Sequence, residues 1–171
     1  MNLLFYTGGA VAVVATILVI TRRNAVHALL YLILSLLSVA LVFYALGAAF
    51  VALLEVIVYA GAIVVLFLFA IMLLNLGSAA DEGEKRLLRP GTWAGPALLA
   101  AILAVQLAYA ALNPGPLAPA PAAVEARAVG AALFGPYLLA AELASFLLLA
   151  GLVGAYHLGR RPASGRKGGP S

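Results

Sequence analysis

The chain has 171 residues, of which 65% are hydrophobic and 9% charged, with a formal net charge of +4 and no cysteine; its mean hydropathy is +1.14. A soluble domain carries about 25% charged residues, so this chain lacks the charge to cover a water-exposed surface, and it is too apolar for disorder. The missing thiols exclude disulfides, thiolate metal sites, cysteine-held clusters and covalent haem, and in a membrane chain the positive balance reads as loop charge and not as a nucleic-acid surface.

A membrane span needs about 20 predominantly apolar residues. Five stretches qualify, at about residues 3–21, 25–46, 50–76, 95–113 and 136–158. The first has no Lys or Arg before it and Arg22–Arg23 after it, which reads as a retained helix and not a signal peptide. Asn24 suits the N-cap of the second, and Gly47 with two alanines leaves only a tight turn before the third. Asp81–Arg89 is a polar loop of mixed sign, and Trp93, Gly95 and Pro96 open the fourth span. The following segment, Pro114–Gly130, is rich in Pro and Ala; its AVEARAVG portion suits a short helix on the membrane surface. Pro136 suits the first turn of the fifth span. Residues 1–160 are expected to form a single transmembrane domain, and 161–171 a disordered basic tail.

Spans alternate sides. Arg22, Arg23, Lys85, Arg86, Arg89, Arg160, Arg161, Arg166 and Lys167 therefore share one side, and Arg127 stands on the other. The positive-inside rule makes the larger group cytoplasmic, with the N-terminus outside and the C-terminus inside. Tyr6, Tyr44 and Tyr137 then fall near the outer boundary, and Trp93 and Tyr156 near the inner one. No tandem or inverted repeat is visible, which argues against an inverted-repeat transporter.

Polar residues within the spans carry the chemistry. Glu55 lies about one turn inside the outer end of the third span and Glu142 about two turns inside that of the fifth. A charge at mid-bilayer costs roughly 2.5–3.5 kcal/mol, so each carboxyl reads as part of a proton or ion path, or as a protonated group bonded to a neighbouring helix. Tyr59 follows Glu55 at a spacing of four and shares its face. Ala60, Gly61 and Ala62 come next. Gly61 falls roughly 16 Å from the outer end, near the midplane, where a glycine lowers helix stability by about 1 kcal/mol relative to alanine. The third span exceeds the bilayer by about seven residues, an excess that tilt or a π-bulge absorbs. On spacing alone, Gly61 reads first as a close-packing position. His27, Tyr31, Ser35 and Ser38 form one polar stripe on the second span, which reads as inter-helix hydrogen bonding. Glu142, Ser145 and Tyr156 share a face of the fifth, and Gln106 and Tyr109 read as packing contacts. His27 and His157 both fall at cytoplasmic helix ends, where interfacial histidine is the simpler reading than a haem clamp.

Three functions fit these residues: a subunit of a larger ion-translocating complex, a free-standing small transporter or channel, and a haem-bearing membrane anchor. Composition and spacing do not choose between the first two.

The stretch Asn24–Gly77, with its EVIVYAGAIVVLFLF motif, resembles subunit J of the bacterial proton-pumping NADH:quinone oxidoreductase, respiratory complex I. FYTGGAVAVVATILVITRRN at the start and VGAALFGPYLLAAELASFLLLAGLVGAYHLGR, Val129–Arg161, fit the same family. About two-thirds of the chain is covered, in order; the segment 113–128 and the tail match weakly. The resemblance implies a multi-pass subunit of the bacterial inner membrane, set in the membrane arm beside subunits of the K, A, H and N types. It implies that this chain binds no cofactor, while peripheral subunits carry FMN and iron–sulfur clusters and the whole complex uses NADH and quinone. It also implies a π-bulge at Tyr59, Ala60, Gly61 and Ala62, whose conversion to regular helix gates a hydrated proton link. Glu55 and Glu142 are then candidates for the proton path, with Glu142 also a candidate subunit contact. A relative of complex I fed by another electron donor is the remaining alternative.

Overall fold

The computed structural model describes residues 2–22, 24–74, 90–112 and 124–159. The polar loop 81–89, most of the Pro- and Ala-rich segment and the basic tail 161–171 lie outside the described residues. Those described are helical apart from short turns, and five helices are long and apolar enough to cross a membrane. The chain forms two compact units, Met1–Glu125 and Ala126–Ser171.

The first unit begins with α1 (Asn2–Thr21) and α2 (Ala25–Ala45). Asn24 starts α2 as expected: its side-chain oxygen accepts from the backbone N–H groups of Val26 and His27 at 2.9 and 3.2 Å. These donors have no partner inside the helix, so the cap satisfies them. At the other end, Gly47 takes φ 84°. Its N–H bonds to Tyr44 O and that of Ala48 to Phe43 O, both at 3.0 Å. This paired pattern is a Schellman motif, which needs a left-handed residue just past the helix.

The third span follows in three continuous pieces: α3 (Ala49–Leu54), a π-helical segment π1 (Glu55–Ile63) and α4 (Val64–Leu74). All three pack along α2. The last helix of the unit, α5 (Pro90–Leu112), starts five residues before the expected position and contains Pro96 in its interior. Pro90 supplies the first helical position, which needs no N–H. Pro96 then only withholds one hydrogen bond early in the helix, so the helix runs through it.

The core lies where α1, α2 and α5 meet, around Val11, Ala15, Tyr31, Leu34, Leu41, Leu99 and Leu103. The polar stripe of α2 is buried there: His27, Tyr31, Ser35 and Ser38 are 5, 2, 6 and 0% exposed. Ser35 and Thr16 share a hydrogen bond of 2.8 Å between α2 and α1. Ser38 donates to the carbonyl of Leu34 in its own helix. The Arg22 guanidinium stacks over the Tyr31 ring, 5.3 Å from its centroid, and the Tyr31 hydroxyl sits where a side chain at Gly95 would be. A glycine at 95 thus lets α2 and α5 close on each other.

The second unit holds a short helix, α6 (Ala126–Leu133), and the fifth span, α7 (Leu138–Gly159). Pro136 lies in the turn between them and not in the first turn of α7. The turn is closed by the Tyr137 N–H, which reaches back to Ala132 O at 3.0 Å.

Gly47→Ala forces a β-carbon into the left-handed region, at about 1–2 kcal/mol. The α2–α3 corner is expected to loosen, read as a fall in thermal midpoint of the detergent-solubilised protein; an unchanged midpoint contradicts the assigned turn.

Candidate functional site

The third span is the least embedded part of the first unit. Among its described residues only Ala52 and Val64 are buried, at 7 and 2% exposure, and none of the nine residues of π1 is. One side of π1 runs along α2. The other side is open, with Ile57 64% and Tyr59 50% exposed.

The backbone shows how the segment is built. At its entrance the Glu55 N–H is shared between the carbonyls of Val51 and Ala52, four and three residues back. At its exit the Val64 N–H bonds to Tyr59 O, five residues back. The ladder therefore widens across EVIVYAGAI. A widened turn carries one more residue than an α turn and leaves carbonyls aimed differently. The sequence suits this at Gly61: a β-carbon there would stand 3.2 Å from Val56 O, again five residues back. That contact is tighter than side chains ordinarily make, and glycine avoids it. The small neighbours Ala60 and Ala62 add little bulk around the same turn.

Tyr59, Ala60, Gly61 and Ala62 thus all lie within the π segment, and Glu55 is its first residue. The segment is longer than the four residues expected. Glu55 and Tyr59 share this segment, but no hydrogen bond joins their side chains; among the described residues neither has a polar partner. Glu142 stands on α7 in the second unit, exposed. Among the described residues no cluster of three or more His, Asp or Glu side chains is positioned to hold a metal.

An apolar groove of about 580 Å³ borders the segment. It is walled by α2, α3, the first turn of π1 and α5, through residues such as Leu37, Leu41, Leu53, Val56, Leu103 and Leu107. Such a surface binds water poorly, and apolar constrictions close by dewetting. The first turn of the π segment thus borders an apolar groove.

Two features were not evident from spacing. The Nε2 atom of His27 and the Oε1 atom of Gln106 are buried without a hydrogen-bond partner. Gln106 points toward Gly8, where α1, α2 and α5 converge. The sequence signal for it was a lone amide in an apolar span, which marks a polar contact without naming its partner.

Comparison with known proteins bears on this arrangement. The chain matches the family described as NADH-ubiquinone/plastoquinone oxidoreductase chain 6 over residues 15–158, a range that includes π1 and nearly all of α7. It is 55% identical over 164 residues to the NADH-quinone oxidoreductase subunit J of Pseudomonas aeruginosa, covering 95% of this chain and 99% of that one. Against the subunit J of Escherichia coli K12 it is 53% identical over 165 residues, covering 96 and 90%. The Rhodobacter capsulatus subunit J is 42% identical over 160 residues, covering 88 and 77%. With this extent of identity and an all-helical, membrane-spanning fold with a π segment in its third span, the chain belongs to the subunit J family of NADH-quinone oxidoreductase, complex I.

Proposed function

We propose that this chain serves in the membrane arm of a proton-translocating NADH:quinone oxidoreductase as a gate and not as a reaction centre. The observation that carries the reading is the π segment Glu55–Ile63 with Gly61 set against the Val56 carbonyl. Two backbone registers are accessible to such a segment. Removing the extra residue turns α4 relative to α3 by roughly 100°, the angle of one residue in an α-helix. The side chains facing the apolar seam then change, and with them its access to water. Freed backbone groups in a membrane must be re-paired, so the two registers are discrete states. A difference of a few kcal/mol between them is small enough for quinone chemistry in neighbouring subunits to shift the population.

The other elements of the reading follow from it. Partners are membrane subunits of the K, A, H and N types, and the chain lies in a bacterial inner membrane with its N-terminus outside and its C-terminus cytoplasmic, as the loop charges require. Electron carriers belong to other subunits. NADH as the donor is supported by the names of the three relatives above, each a NADH-quinone oxidoreductase subunit J. Those names, over nearly the full length, also favour a subunit over a free-standing transporter.

Glu55 stands at the mouth of the π segment, where a carboxyl draws water toward the seam. Its place is at the entrance, and its role is hydration of the gate.

In the assembled enzyme, Gly61→Ala favours the α register by about 1 kcal/mol, roughly a fivefold shift in population, and is expected to lower proton pumping and quinone-linked activity together. Gly61→Val, with more bulk against Val56 O, is expected to abolish most of both. NADH oxidation with an artificial acceptor at the flavin survives in either variant. Normal pumping by an assembled Gly61→Val enzyme contradicts the gate. For Glu55→Gln the expected result is slower turnover at an unchanged ratio of protons to electrons; a lowered ratio would make Glu55 a relay instead.

A further inference from the structure

One polar group in the first unit has no part in the gate. The Oε1 atom of Gln106 on α5 is buried without a hydrogen-bond partner among the described residues. Gln106 lies six residues before the end of α5, and Gly8 lies six residues past the start of α1. At 1.5 Å per residue each stands roughly 9 Å from that helix end, inside an apolar layer about 30 Å thick. A buried acceptor left unpaired there bears the full cost of its desolvation.

The hydroxyl hydrogens of Thr7 and Ser38 are already given elsewhere. Thr7 lines the same apolar groove as Gln106, together with Leu3, Leu4, Ile102 and Val105, and donates to Leu3 O at 2.6 Å. Ser38 is 0% exposed and donates to Leu34 O at 2.6 Å. A second acceptor shares the space beside Gln106 Oε1. A β-carbon at Gly8 would lie 3.9 Å from Gln106 Oε1, 3.6 Å from the Ser38 carbonyl oxygen and 3.4 Å from Val42 Cγ2. The Ser38 carbonyl spends one lone pair on the ladder of α2 and keeps the other.

Gly8 thus leaves a cradle of about one methyl group between α1, α2 and α5, faced by two oxygens. A water set about 1 Å nearer those oxygens than the β-carbon position meets both at about 2.8 Å, the usual O–H···O length. Its two hydrogens match the two acceptors, and buried waters ordinarily serve such otherwise unpaired groups. A pair of neutral oxygens is too small a ligand set to hold a cation in a layer where charge is costly.

We infer that Gly8, Ser38 and Gln106 form a binding site for one water molecule, which donates one hydrogen to Gln106 Oε1 and the other to the Ser38 carbonyl. The water joins α5 to α2 with α1 seated over the joint, and so fixes the axial register of α1 in the three-helix core. The inference does not rest on the gate.

The test compares the whole oxidoreductase carrying the unaltered chain with the same assembly carrying Gly8→Ala. An electron cryomicroscopy map that resolves ordered waters is expected to show a peak within hydrogen-bond distance of both oxygens, lost in Gly8→Ala. A map of the unaltered assembly without that peak overturns the inference, as does one in which the Gln106 amide turns its NH2 group directly onto Ser38 O. Deuterium exchange of α1 peptides gives a second readout, one whose sign decides. The alanine β-carbon would meet its neighbours at ordinary contact distances, and alanine favours a helix over glycine, so a dry cradle predicts slower exchange in Gly8→Ala. Displacing a bound water instead predicts faster exchange, by roughly fivefold for one buried acceptor left unpaired, and recovery when Gln106→Leu is added. Slower exchange in Gly8→Ala, or no recovery in the double variant, overturns the inference.

Discussion

The rest of the structure turns on one backbone contact: Gly61 against the carbonyl of Val56, five residues before it. The Val64 N–H bonded to Tyr59 O marks the widened register of the third span, and the missing side chain at 61 leaves room for it. A β-carbon at 61 would press on the same carbonyl. An α-helix at mid-bilayer would gain from alanine there, so the glycine lowers the stability of the regular form relative to the widened one. In the proposed gate, the residue that makes the wide register fit is also the one that brings the two registers close in free energy.

The proposed gate needs a fixed reference to turn against, and the other helices of the first unit suit that part. α1, α2 and α5 interlock through a buried apolar core, a Thr16–Ser35 hydrogen bond and the Tyr31 hydroxyl seated at Gly95. The capped start of α2 and the glycine turn at its end hold the helix on which the third span rests. By contrast, among its described residues the third span buries only Ala52 and Val64. In the proposed gate, few side chains of the third span would be uncovered as α4 rotates beside α2. The apolar groove beside Val56 is the volume whose wetting the proposed rotation would alter.

Much of this was legible in the residues, for reasons that differ by element. Spans were plain because length and hydropathy decide them in a membrane. Asn24 and Gly47 were readable because cap chemistry is local. The excess length of the third span pointed to an irregularity, but tilt and a bulge absorb it equally well. Gly61 taken alone read as packing, because a missing side chain looks the same whether it admits a neighbouring helix or its own carbonyl. Only the family resemblance pointed to the bulge, and only the backbone showed that it reaches from Glu55 to Ile63. Pro96 misled the start of α5, since proline more often opens a helix than interrupts one, and Pro136 misled the start of α7 in the same way. Gly95 read only as part of the opening of the fourth span, because the ring that fills its space comes from Tyr31, 64 positions away by number.

The central claim is that α4 turns between two registers during turnover, and cysteine accessibility at Val64 measures it most directly. Val64 is 2% exposed in the widened form, and the chain has no cysteine of its own. In the assembled Val64→Cys enzyme, a membrane-permeant maleimide reacts only where the thiol meets water. The account predicts slow modification at rest and a marked acceleration while NADH is oxidised by quinone, reversed when the quinone site is blocked. Equal rates in resting and turning-over enzyme would show a third span that keeps its register, and would contradict the gate.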